Sequence, residues 1–257
     1  MKFGVASDLH LEFGPMNPEF FEWRGDVLLL AGDVAEDDYL CKQQAFWTAV
    51  SGMAPHVFLI AGNHEFYNSE IDTTSKHIRE ALQPHPNVKL LDNELAVVNG
   101  VAVYGTTLWT DFDRNNPISA FDAGRSMNDY RKIRVAGNNF RKFTPSDASS
   151  AHARALMHMK QELSTHSDKP AVIMSHHAPS FQSVAPQYAT STLNGSYASN
   201  LEQLIVDHPQ IKAWVHGHIH HYTQYDVEQC QVILNARGYP GERPSGLPPY
   251  QPLTFQI

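Results

Sequence analysis

Four imidazoles crowd the stretch VHGHIHH at residues 215–221: His216, His218, His220 and His221. A neutral imidazole is the commonest protein ligand for a metal ion. His218 and His220 stand two apart, a spacing that aims both to one side of an extended backbone. A carboxylate and an imidazole repeat that spacing at Asp8 and His10. Asp33 follows Gly32, Asn63 and His64 follow Gly62, and His176 and His177 close an apolar run. Collected together, Asp8, His10, Asp33, Asn63, His176, His218 and His220 are nitrogen and oxygen donors without one thiolate. One ion rarely takes so many. Two divalent ions sharing a bridging carboxylate would use them all and leave room for water and substrate. Imidazole mixed with carboxylate suits manganese, iron, zinc, cobalt or nickel and does not choose among them, with manganese taken as the first expectation.

The elements that must hold these residues are legible as short apolar runs. KFGVAS (2–7), DVLLLA (26–31), HVFLIA (56–61), AVIMS (171–175) and IKAWV (211–215) each end at one of the candidate donors. Continuous apolar runs of this length, bounded by glycine, predict strands buried on both faces. Helices are expected between them at 39–53, 70–82, 148–164 and 199–207. The alternation places the chain in the α/β class, and the crevice outside the carboxyl ends of strands is where such sheets bind ligands. Asn99-Gly100 between two β-rich runs (94–109) reads as a hairpin turn. A second hairpin is expected from 222–227 to 231–235, so the sheets should mix parallel and antiparallel strands.

Five segments, SDLHLEF, LAGDVAEDD, AGNHEFY, VIMSHHAP and VHGHIHH, come in that order between residues 7 and 221. Together they resemble the signature blocks of the calcineurin-like metallophosphoesterase superfamily. The resemblance implies a four-layer αββα sandwich, two mixed β-sheets flanked by helices, with a dinuclear site at the carboxyl edge of the strands. It implies that Asp8, His10 and His220 hold one ion and that Asn63, His176 and His218 hold the other. Asp33 would bridge them, and His64 would protonate the leaving group. His177 would orient its neighbour or touch substrate; His216 and His221 would flank the ligating pair. NARGYPGE (235–242) is similar to a tail motif of some bacterial members.

Two segments look irregular. Residues 237–252 are rich in glycine and proline. Residues 111–147 carry Arg114, Arg125, Arg131, Lys132, Arg134, Arg141 and Lys142 against five Asp and no Glu, a basic stretch in a chain of net charge −8. That stretch is expected to form a substrate-side loop of a single domain spanning 1–257, with Arg125, Arg131 or Arg134 reaching a substrate anion. The acidic balance argues against gripping nucleic-acid backbone. No apolar run approaches a membrane span or a leader, and Cys41 and Cys230 stand in no framework spacing. The reading is a cytoplasmic enzyme acting on a small phosphorylated substrate. A non-catalytic protein-binding scaffold and a DNA nuclease are the alternatives; the sequence leaves mono- or diester preference and oligomeric state open.

Overall fold

The structure, a computed structural model, describes residues 1–135 and 141–257. Among these residues, eleven strands form two sheets. The first holds β1 (Lys2–Ala6), β2 (Val27–Leu30), β3 (His56–Leu59), β4 (Val88–Leu90) and, from the chain's end, β11 (Leu253–Gln256), in the order β11-β1-β2-β3-β4. The second holds β5 (Glu94–Val98), β6 (Val101–Thr106), β7 (Ala171–Ser175), β8 (Ile211–His216), β9 (Thr223–Val227) and β10 (Cys230–Leu234), in the order β5-β6-β7-β8-β10-β9. β1 to β4 run parallel with β11 antiparallel; β6, β7, β8 and β10 run parallel with β5 and β9 as antiparallel edges. Both sheets are therefore mixed.

Strand alternation builds the layers. In β2, Val27 and Leu29 point between the sheets, where they meet Val172, Met174, Ala213 and Val215. Leu28 and Leu30 point the other way, onto α1 (Asp37–Cys41), α2 (Gln44–Ser51) and α3 (Thr74–Leu82) through Leu40, Trp47, Val50 and Ile78. Ile173, Trp214 and Val232 cover the far face of the second sheet with Met159 and Leu163 of the long helix Pro145–Thr165 and Ile205 of Glu202–Asp207. The result is a four-layer αββα sandwich. Burial of both strand faces is why the runs read as unbroken apolar sequence.

Three expectations need correction. The helix expected over 39–53 is broken at Lys42-Gln43, and Gln43 sits at φ −85°, ψ 49°. Across the break the Leu40 carbonyl accepts from the Gln43 N–H at 3.1 Å and from the buried Trp47 indole N–H at 3.2 Å; an uninterrupted helix would give that carbonyl to Gln44. β4 went unread because three residues with Lys89 exposed carry no period. The stretch 111–147 is largely helical: Pro117–Ser126 and Asp129–Lys132 precede the long helix, which starts at Pro145; residues 136–140 lie outside the described ones. Asn116 caps the first of these helices by accepting from Ile118 and Ser119, with Pro117 at the first helical position, a start signal that polar composition hid. The Asn99-Gly100 hairpin forms as expected, with φ 49° and 84°.

A candidate dinuclear metal centre

β1, β2, β3, β7 and β8 all deliver their carboxyl ends to one edge of the sandwich. The turns there are tight. A Cβ on Gly62 would lie 2.1 Å from Asp33 Oδ1, and one on Gly32 would lie 2.5 Å from His176 Nδ1, so glycine is required at both. Asp8, His10, Asp33 and His218 adopt positive φ, between 47° and 69°. Such backbone costs about 1–3 kcal/mol per residue and persists where the surroundings over-determine it. Here backbone bonds do so: Asp8 N–H donates to Gly32 O and His10 N–H to Asp33 O, both at 3.0 Å.

All seven expected donors come together, in groups whose donor atoms lie within 4.8 Å of one another: Asp8, His10 and His220; Asp33, His176 and His218; and His10, Asp33 and His64. Asn63 joins the second group, its Oδ1 3.0 Å from both His176 Nε2 and His218 Nδ1. The amide cannot flip, because its Nδ2 donates to the Tyr67 hydroxyl and to Asp129 Oδ1, each at 2.9 Å. His176 Nδ1 donates to the Ala31 carbonyl at 2.9 Å. Its Nε2 faces Asn63 Oδ1 and Asp33 Oδ1, the latter at 3.3 Å, a position that takes a proton or a cation. Asp8 Oδ2 and His218 Nε2 are buried with no hydrogen-bond partner, a costly state unless something binds them.

The electrostatics agree. Burial lowers the pKa of His176, but the neighbouring Asp33 and Asp8 carboxylates raise it to about 10. Burial likewise opposes charge on His220, while Asp8 and Glu242 carry it up to about 9. Both positions favour positive charge, so the residues fit divalent ions.

His64 lies between the groups. Its backbone N–H donates to Asp33 Oδ1 at 2.8 Å, its Nδ1 lies 2.9 Å from Glu12 Oε1, and its Nε2 lies 3.0 Å from the Tyr239 hydroxyl. Burial works against the imidazolium, but Asp33 and Glu12 raise the His64 pKa above its ordinary value. Burial also opposes ionisation of Glu12, but His10 and His64 hold its carboxyl down at about 2.

The remaining expected site residues are placed elsewhere. His177 is buried, with Nδ1 3.2 Å from the Thr107 carbonyl and its ring 4.3 Å from that of His218. Burial and then His176 push its pKa down to about 3, so a neutral ring packs behind a donor. His216 is held by Ser183 Oγ at 2.9 Å, and His221 is exposed at the rim. Arg125 lies over the Phe121 ring at 5.5 Å. Arg131 donates to the Arg125 carbonyl and Arg134 to the Arg131 carbonyl. None of the three arginines lines the cleft in front of the donors.

Sequence reasoning missed the residues that brace the donors. Glu12 sits two past His10, a spacing that could have been read. Tyr239 and Glu242 belong to the NARGYPGE stretch, which is stitched to the site by backbone bonds from Arg237 N–H to Ser7 O and Gly238 N–H to Asp8 O. Glu65 accepts from the backbone N–H groups of Asp33, Val34 and Gly62 at 2.7–3.0 Å and so ties two donor turns together. Asp129 had no signal, being far from Asn63 in sequence.

This arrangement agrees with sequence comparison: the profile of the calcineurin-like phosphoesterases matches residues 1–222. The chain belongs to the calcineurin-like phosphoesterase family. A calcineurin-like phosphoesterase is a metal-dependent phosphoester hydrolase, which accounts for the donor clusters. An uncharacterised protein of Acanthamoeba polyphaga mimivirus is 28% identical over 265 residues, 93% of this chain and 91% of that one. Among solved structures, the phosphopantetheinyl hydrolase PptH of Mycobacterium tuberculosis is similar with a TM-score of 0.71 at 14% identity, over 98% of this chain and 95% of that one. A putative 5′-nucleotidase from Staphylococcus aureus gives 0.54 at 17% identity over 92% of this chain, which spans 49% of that protein. At these identities the two structures share the phosphoesterase's fold. No helix among the described residues is long and apolar enough to cross a membrane.

Proposed function

We propose that this phosphoesterase uses two divalent ions, with manganese as the first choice, to hydrolyse a phosphate mono- or diester of a small molecule. The reading rests on the buried donors that have no partner, Asp8 Oδ2 and His218 Nε2, beside a cluster in which Asn63 Oδ1 lies 3.0 Å from both His176 Nε2 and His218 Nδ1. Asp8, His10 and His220 would hold one ion, Asn63, His176 and His218 the other, and Asp33, within reach of both groups, would bridge them. Two such ions supply Lewis-acid charge for the phosphoryl oxygens and a water acidic enough to attack at neutral pH.

The chain's own residues do the rest. Glu12 fixes the His64 ring through Nδ1 and turns Nε2 toward the cavity. From there His64 delivers a proton to the departing oxygen. Tyr239, on Nε2 in the free protein, would give way to that oxygen or share the proton with it. A protein-binding scaffold has no use for an acid so braced or for buried unpartnered donors. Cys41 and Cys230 are free thiols, which supports a reducing compartment such as the cytoplasm.

The test is metal stoichiometry together with a substrate screen. Protein stripped and reloaded with Mn²⁺ should reach two equivalents and hydrolyse p-nitrophenyl phosphate or its bis-ester. A plateau at one equivalent with full activity would reject the dinuclear reading.

A further inference from the structure

A cavity of about 790 Å³ opens from the donor cluster. Apart from histidines, no basic side chain lines it among the described residues. Its outer wall presents Met127, Val184, Leu193 and Tyr188, with the side-chain amides of Asn128 and Gln187. Tyr188 is 60% exposed. Glu242 brings a carboxylate to the same cavity. Phe13, 54% exposed, meets Tyr239 edge-on at 5.4 Å and extends the aromatic surface beside the donors. The nearby cations are spent outside the cavity: Lys132 pairs with Glu36 at 3.1 Å, and Arg125, Arg131 and Arg134 sit on a ring or on backbone carbonyls.

Positive charge is therefore concentrated at the donor cluster, where it serves the scissile phosphoryl group. A leaving group with a second phosphate or a carboxylate would sit near the Glu242 carboxylate with no lysine or arginine in the lining to pair it, and leaving a charge unpaired as it loses water is costly. Aromatic and apolar wall with a few amides instead matches an uncharged group with an apolar or ring-shaped body and a few polar atoms. Resting on the phosphoesterase reading above, we propose that the substrate's leaving group is uncharged and amphipathic, bound by tyrosine, apolar and amide side chains. Nucleoside polyphosphates and nucleic-acid strands are thereby disfavoured.

Two nearly isosteric aryl phosphates test this: 4-(3-methylbutyl)phenyl phosphate and 4-(2-carboxyethyl)phenyl phosphate, together with their methyl diesters. Leaving-group acidity is nearly matched, so chemistry cancels in the ratio. With the Mn²⁺-loaded protein, kcat/KM should favour the neutral member by about tenfold or more. Gln187→Lys and Met127→Lys should each shrink that ratio, mainly by lowering KM for the carboxylate. A ratio near one or inverted, with good turnover of either member, overturns the charge proposal and leaves the phosphoesterase reading standing. No turnover of any of the four esters overturns both.

Discussion

The two halves of the proposed metal centre are built from similar candidate donors but braced in different ways. Asn63, His176 and His218 are buried, and what holds them is interior: the Ala31 carbonyl on His176, and Tyr67 and Asp129 on the Asn63 amide. His220, in the other half, is braced by Glu242, which accepts from Nδ1 at 2.6 Å while 43% exposed. His10 leans on Glu12 at 3.2 Å. Asp8 and His10 are as buried as the donors of the first half, at 0% and 1% exposure, and Glu12 is largely buried, so the difference between the halves lies in the His220–Glu242 pair at the rim. A brace whose loss water can repair contributes less than one whose loss leaves a buried group unpaired. Because His220 alone among the six is braced from the surface, the ion held by Asp8, His10 and His220 should accordingly exchange more readily, and the one held by Asn63, His176 and His218 should bind more tightly.

His64 touches both halves and belongs to neither, which makes its removal the largest expected effect that spares the ions. His64→Ala should keep two equivalents of metal. It should lose about 10²–10⁴-fold on alkyl esters, whose alkoxide needs a proton, and far less on p-nitrophenyl esters. Equal losses on both would mean that His64 positions phosphate. A fall in metal content would mean that it ligates, and would blur the division between the halves.

The braces come next. Asp129→Ala leaves the Asn63 amide free to turn, and Glu242→Ala leaves His220 Nδ1 to solvent. Loss of such outer partners typically costs about 10–100-fold in metal affinity. Asp129→Ala should fall near the top of that range and weaken the tighter of two calorimetric binding steps; Glu242→Ala should fall near the bottom and weaken the looser one. The reverse order would invert the comparison.

The smallest effect is a control outside both halves. Thr144 caps the long helix Pro145–Thr165 in a capping box with Asp147. Thr144→Ala should cost about 1 kcal/mol in denaturant unfolding with both metal steps unchanged. Arg141 and then Thr144 hold the Asp147 carboxyl down at about 2, below its ordinary value of 3.8. A depressed folded pKa contributes stability above the unfolded value, and that stability is lost as pH falls toward 2. The Asp147→Asn penalty should therefore be present at pH 7 and vanish near pH 2.

What the sequence determined by itself was which candidate donors end the apolar runs and the elements that carry them. Each of the seven donors sits at or just past the end of an apolar run, and strand burial and glycine turns are local properties that composition and spacing record. The Asn99-Gly100 hairpin was legible for the same reason. Tertiary structure decided whatever depends on residues meeting across the fold. It set Asp129 against Asn63, 66 positions away, and Tyr239 against His64, 175 away. It spent Arg125, Arg131 and Arg134 on neighbouring groups outside the cleft, where charge counting alone had aimed them at substrate. It broke the helix at Lys42-Gln43, where a buried indole shares the Leu40 carbonyl with the backbone. A ligand's identity is written in its own side chain, whereas its orientation depends on a partner that only the folded packing brings within hydrogen-bond distance.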